Sequence, residues 1–317
     1  MEIRGNSADE VYYKTLKALI AAGHVVSPRN EQTLEVIGAH LIINQPWRNI
    51  ITLPDRKLSY PFMVAEAAWM LTGSNDLRMI QPYNNRIAAY SDDGDVLKGA
   101  YGPKLIEQLP YVIETLKIDP SSRQAVLTIW RERPRVSKDI PCTIMMQFFV
   151  RDTQQVRGRT LDMVVYMRSN DAWWGMPYDI FSFTMIQQYV AQKLNAEIGE
   201  YHHMVGSLHL YDKHVIEASK LVAPDLSEIK NYAHDRIMPS AYPAVEMPDF
   251  FKTMFVGLTL MAKHAETREE LLSWASSLNE LPDPWRGMMG LLAYRFHKDP
   301  DYLVSPWIDL LTAQAGI

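Results

Sequence analysis

Apolar residues recur at helical spacing from Asp9 to Ala22, at Val11, Leu16, Leu19 and Ile20, and Gly23 closes the run, so the pattern predicts a first helix. A β-rich segment from Thr33 to Ile43 follows as a strand. Tyr60 to Thr72 is apolar on more than one face and reads as a buried helix, with Glu66 set between Ala65 and Ala67. Pro103 to Lys117 predicts another helix, stopped by Asp119-Pro120-Ser121-Ser122, and Arg123 to Trp130 a strand. Two β-rich runs, Thr143 to Val150 and Thr160 to Met167, precede a long helix over Pro177 to Leu194 and a strand over Tyr201 to Tyr211.

Strands and helices interleave without regular βαβ alternation, which predicts an α+β fold rather than a doubly wound sheet. The chain has no Gly-rich phosphate loop. The texture changes after Pro224: a proline-containing stretch leads into four predicted helices, Phe250 to His264, Arg268 to Leu278, Pro284 to Phe296 and Leu303 to Ala315. The expected organisation is therefore a domain over 1–225 and a helical C-terminal extension over 226–317, with a soft boundary between 225 and 248.

Composition narrows the function classes. Of 317 residues, 47% are hydrophobic and 22% charged, and no apolar run approaches the roughly 20 residues of a membrane helix, so no membrane partner is expected. The N-terminus lacks a secretory pattern, and a single cysteine fits a reducing cytoplasm. A net charge of -5 speaks against direct nucleic-acid binding but leaves room for one nucleotide phosphate held by a few arginines.

Cys142 cannot form an intrachain disulfide, so it is either an inert small hydrophobe or a nucleophile. Histidines 202, 203, 209 and 214 lack a second cysteine or a carboxylate set, so no metal is expected, and His202 and His203, adjacent on a strand, should face opposite ways. Taken alone, Asp179 reads as an acidic residue at a helix N-terminus and Glu66 as a carboxylate at a helix edge.

The motifs taken together change that reading. Pro141-Cys142 opens a strand, Gln147 follows, then Arg168-Ser169-Asn170-Asp171, Gly175-Met176-Pro177-Tyr178-Asp179-Ile180 and Gly206-Ser207-Leu208-His209-Leu210-Tyr211, in that order. Over roughly residues 10 to 215 this resembles the thymidylate synthase superfamily and, within it, the deoxycytidylate hydroxymethylase branch.

The resemblance implies a catalytic domain in which the Cys142 thiolate adds to C6 of a pyrimidine nucleoside monophosphate, and C5 then attacks the one-carbon unit of 5,10-methylenetetrahydrofolate. Arg168 would approach both thiol and phosphate. Ser169, Arg29 and Gln147 join the substrate set, Arg123 would reach the phosphate site of a homodimer partner, and His209 and Tyr211 would hold the sugar 3'-hydroxyl. Glu66 and Tyr101 would move protons at the base, and Asp171 and Gly175 would meet the folate.

Asp179 stands where uracil-specific members carry asparagine, and a carboxyl suits the exocyclic amine of cytosine. Thr143 after the cysteine and Ser207-Leu208 before His209 point to the same branch.

Some positions depart from the pattern. Gln124 replaces a second arginine, the folate-side tryptophan before Tyr101 gives way to Ile87 or Tyr90, and the C-terminal helices replace a short tail. A methylating synthase and a nucleotide-binding scaffold without turnover stand as the alternatives.

Overall fold

Seven strands form one mixed sheet in the computed structural model, which describes residues 1–131, 136–153, 158–228, 255, 257 and 285–298. The strands are β1 (Glu2–Gly5), β2 (His24–Val26), β3 (Thr33–Ile43), β4 (Val126–Thr128), β5 (Thr143–Thr153), β6 (Gly158–Asp171) and β7 (Glu197–Tyr211). Their order is β1-β3-β7-β6-β5-β4, with β2 paired to β3. The β6–β7 and β1–β3 pairs are parallel and the remainder antiparallel, so the expected α+β class holds.

The chain divides into two compact units. The first comprises Met1–Arg56, Gln108–Glu132 and Pro141–Ala241 and contains the whole sheet. Helices α1 (Ala8–Ala22) and α5 (Met176–Leu194) pack on it. Helix α1 starts where the Ser7 hydroxyl accepts from the Glu10 amide, and buries Val11, Tyr12, Leu16 and Leu19. Each such aliphatic side chain contributes about 1.5–3 kcal/mol on burial. Helix α5 has Pro177 in its first turn and ends at Asn195, whose φ of 51° is the left-handed conformation asparagine tolerates.

The second unit comprises Lys57–Glu107, Arg133–Ile140 and Tyr242–Ile317. It holds α2 (Tyr60–Leu71), short α3 (Leu77–Ile80), the first turns of α4 (Gly102–Ile118) and α7 (Trp285–His297), numbered after α6 (Val215–Leu221) of the first unit. Helix α7 packs on α2, and Tyr83 stacks on Phe255 and meets Phe296 edge-on. The helix expected over Pro284 to Phe296 is thus present. The other three C-terminal helices and the 225–248 boundary fall almost wholly outside the described residues.

The predicted strand over Arg123 to Trp130 is shorter than expected. The Ser122 hydroxyl accepts from the Gln124 amide and Gln124 in turn accepts from Val126, a turn that consumes the first residues. Ile129 and Trp130 both donate to the Ile144 carbonyl, which ends the ladder. Strand β1 had no counterpart in the sequence reading; its four residues are too few to show an alternation.

A local feature of the sheet positions the site. Pairing of β6 with β7 runs Met167↔Val205 and then Ser169↔Ser207, and β3 pairs Ala39 with Val205 and Ile37 with Ser207, so Arg168, Gly206 and Gly38 drop out of the ladder together. Gly38 has φ +70°, and a Cβ on Gly206 would lie 2.9 Å from the Arg168 carbonyl oxygen. Before this line the buried positions are Val165, Met167, His203 and Val205; after it they are Asn170, Leu208 and Leu210. The alternation slips by one residue, so Arg168 keeps the outward face that follows Met167 while Asn170, two residues on, turns inward.

Candidate active site

The C-terminal ends of parallel β6 and β7 and the start of β5 converge in the first unit, as expected where parallel strands end. Cys142 sits just before β5, half-buried, with its carbonyl accepting from the Arg168 amide at 2.9 Å. The Arg168 guanidinium reaches the same place: Nη2 is 3.5 Å from the Cys142 Sγ, and Nε donates to the Pro141 carbonyl at 3.0 Å. The Trp130 ring lies 5.8 Å from the guanidinium carbon. Positive charge held against a thiol favours its thiolate form.

Beside Arg168, the next residues of β6 meet β7 in register: Ser169 opposite Ser207, Asn170 opposite Leu208, Asp171 opposite His209. His209 and Tyr211 meet edge to face at 5.3 Å. Arg29 lies near enough to the Tyr211 hydroxyl to oppose the rise that burial gives its pKa, from a turn in which its φ is 54°. The Ser207 hydroxyl donates to the Glu35 carboxylate on β3. Arg168, Ser169, His209, Tyr211 and Arg29 therefore share one end of the sheet.

Asp179 lies in the first turn of α5, its amide donating to Gly175. A helix N-terminus favours a carboxylate, yet burial outweighs it and, with the nearby Asp171 charge, pushes the Asp179 carboxyl up to about 7 against the opposing hydrogen bond from Asn170. That bond, Asn170 Nδ2 to Asp179 Oδ2, measures 2.7 Å. A Cβ at Gly175 would lie 3.0 Å from Asn170 Nδ2 and 3.3 Å from Asp179 Oδ2, so a side chain there would press on the pair by a few tenths of an ångström.

The thymidylate synthase family model matches residues 10–242. The chain belongs to the thymidylate synthase family. It is 30% identical over 227 residues to the deoxyuridylate hydroxymethyltransferase of Bacillus phage SP01, covering 65% of this chain and 58% of that protein. It is 32% identical over 178 residues to the deoxyuridylate hydroxymethyltransferase of Pseudomonas phage M6, covering 53% and 49%. It is 27% identical over 227 residues to the thymidylate synthase of Buchnera aphidicola subsp. Baizongia pistaciae, covering 67% and 82%. The chain thus spans about half the length of the phage relatives it matches.

Other residues singled out in this thymidylate synthase-family chain stand elsewhere. Gln147 is five residues along β5, about 16 Å from Cys142 at strand spacing, and its amide donates to the Arg123 carbonyl at 3.0 Å. Arg123 and Gln124 are exposed. Glu66 and Tyr101 belong to the second unit: Glu66 is the single position of α2 that is not buried, and the Tyr101 carbonyl accepts from Lys104 and Leu105 to open α4. Ile87 and Tyr90 lie there in a short 3-10 turn, with Tyr90 exposed.

Asp171 is already engaged, its Oδ1 accepting from the Trp173 amide at 2.8 Å and from Trp174 at 3.3 Å. Beside it the Trp174 indole is 41% exposed and donates to His214, offering a flat apolar surface. His202 and His203 do face opposite ways: His203 is fully buried, whereas His202 is half-buried against His40 and Glu200. No group of three potential metal ligands occurs among the described residues, and no described helix is long and apolar enough to cross a membrane.

Sequence reasoning missed the buried partners of Asp179. Asn170 Oδ1 meets His203 Nε2 at 2.8 Å, and His203 Nδ1 meets the Tyr201 hydroxyl at 2.7 Å. The available signal was one polar residue, His203, at a position where a strand of this pattern carries apolar ones; Asn170 falls on the outward face of the undisturbed pattern and gave none.

Proposed function

We propose that this protein transfers a hydroxymethyl group to C5 of a pyrimidine deoxynucleoside monophosphate, with deoxycytidylate as substrate and 5,10-methylenetetrahydrofolate as one-carbon donor, in the cytoplasm of the cell it acts in. The observation that carries the reading is the Arg168 guanidinium set 3.5 Å from the Cys142 sulfur. An arginine there favours the thiolate and offers its remaining N–H groups to a phosphate in a fixed fork.

The Cys142 thiolate adds to C6 of the base, and the electron pair of the C5–C6 bond moves into the ring. Asp179, titrating near 7, holds a proton that it can share with N3 as negative charge builds there. C5 takes the one-carbon unit, Tyr101 assists loss of the C5 proton, and tetrahydrofolate departs with the electron pair of its bond to that carbon, which leaves an exocyclic methylene. Glu66 orients the water whose oxygen captures the exocyclic methylene. Expulsion of the Cys142 thiolate from C6 then restores the ring. Water supplies the new hydroxyl, so no oxidant or reductant is consumed.

Arg168, Ser169 and Arg29 hold the phosphate, with Gln147 in the substrate set and Arg123 joining from a second copy in a homodimer, and His209 with Tyr211 holds the 3'-hydroxyl. Asp171, Gly175 and the exposed Trp174 ring fit a flat pterin, which supports folate as co-substrate. The domain over 1–225 carries this chemistry, and the segment beyond it is an extension.

A second reading, deoxyuridylate as substrate, is favoured by the names of the two phage relatives. A protonated Asp179 offers one donor and one acceptor and can in principle face either base. Incubation of the purified protein with each pyrimidine monophosphate and 5,10-methylenetetrahydrofolate, followed by mass spectrometry, decides. Hydroxymethyl on deoxycytidylate is expected. Hydroxymethyl on deoxyuridylate alone selects the second reading, methyl marks a synthase, and unchanged nucleotide with retained binding marks a scaffold.

A further inference from the structure

The polar chain behind Asp179 has a direction. Asn170 Oδ1 can only accept, so the His203 Nε2 that faces it at 2.8 Å must carry hydrogen. His203 is buried with nothing to stabilise a charge, and burial depresses its pKa to about 3, so the ring is neutral and Nδ1 bears a lone pair. The Tyr201 hydroxyl, 2.7 Å away, then donates to Nδ1. The Asn170 amide is thereby oriented with its NH2 toward Asp179 Oδ2.

The reverse direction is disfavoured. It would make His203 Nδ1 the donor and leave the hydroxyl hydrogen of buried Tyr201 without its acceptor, a costly arrangement.

We propose that Tyr201 and His203 are positioning residues: acting through Asn170, they keep Asp179 Oδ2 an acceptor, place any proton of the carboxyl on Oδ1, and so set the base selectivity of the site. This rests on the reading of Asp179 as the base-facing carboxyl. Provided that Oδ1 faces the ring nitrogen N3 and Oδ2 the group at C4, a carboxyl with Oδ1–H as donor and Oδ2 as acceptor matches a base that presents a ring acceptor beside an amine, as cytosine does. Uracil needs the opposite arrangement, with the proton on Oδ2, where the Asn170 amide hydrogen already points. The titratable groups around Asp179 are Asp171 on β6 and Tyr201 and His203 on β7.

Histidine nitrogen NMR on the full-length protein, with His203 assigned by its loss in His203→Leu, reads the tautomer directly. The expected result is protonated Nε2 and bare Nδ1 throughout pH 5 to 9; an Nδ1–H tautomer or an imidazolium in that range overturns the relay. In turnover assays, Tyr201→Phe and His203→Leu should each narrow the cytosine-to-uracil ratio of kcat/KM about fivefold or more. His203→Gln, which keeps an N–H toward Asn170, should restore most of it. An unchanged ratio and pH profile in His203→Leu overturns the selectivity claim even if Tyr201→Phe fails to fold. The wrong tautomer in an active enzyme sinks the relay and spares the functional reading, whereas the expected tautomer in a protein that modifies neither base sinks that reading and the selectivity claim with it.

Discussion

Arg168 and Asn170 stand two residues apart on one strand, yet the first is exposed and the second is 3% exposed. In an undisturbed strand they would share a face. The interruption at Arg168, Gly206 and Gly38 separates them, and with them two kinds of chemistry. On the open side a thiol and a guanidinium meet where a phosphate and its water can enter. On the closed side a carboxyl is backed by an amide, an imidazole and a phenol with no water required. Charge does the work at the first place, and hydrogen-bond direction at the second. A mobile ion pair would serve badly as a base reader, and a buried relay could not admit a phosphate.

The largest expected effect lies on the open side. Cys142→Ser should lower turnover about 10³-fold or more while nucleotide binding persists, measured by single-turnover assay and calorimetry. Arg168→Lys keeps the charge but loses the fork and the bond to Pro141, and kcat/KM should fall roughly 10²-fold. If lysine restores full activity, the guanidinium geometry is not what the site uses.

Asp179→Asn probes the closed side, and its base preference should move from cytosine toward uracil by roughly tenfold or more. It also has a signature in stability. Burial raises the carboxyl from 3.8 to about 7, so between these values the folded state holds the proton more tightly than the unfolded chain. Stability is then lost as pH rises through that window and levels off above it. The melting temperature of Asp179→Asn relative to the natural chain should therefore rise by roughly 5–10 °C from pH 4 to pH 8. A flat difference across that range would show that Asp179 does not titrate in this window.

The smallest effect tests the ring beneath the arginine. Trp130→Leu should raise KM about two- to fivefold with kcat little changed, the size of one cation–π contact.

Much of this was legible in the order of residues. The helices over Ala8–Ala22, Tyr60–Leu71 and Met176–Leu194 and the strand Thr33–Ile43 follow their periodicity almost to the residue, because an apolar stripe must be buried and few geometries bury it. The family motifs gave Cys142, Arg168, His209 and Tyr211 as a set, and one end of the sheet does bring these four together with Ser169 and Arg29. Gln147 shows what motif order leaves open: strand spacing carries it along β5 away from the thiol, and its amide donates to the Arg123 carbonyl.

What the chain determined by itself is local: which segments coil or extend, and which side chains are able to act as nucleophile, fork or carboxyl. Only the tertiary structure decided which way those side chains turn. The ladder interruption needs three strands side by side, two of them contributing glycine, and no single strand encodes it. The raised carboxyl of Asp179 and the fixed tautomer of His203 likewise arise from burial and from Asn170, 9 residues from the one and 33 from the other, since a proton's position depends on what the fold brings around it.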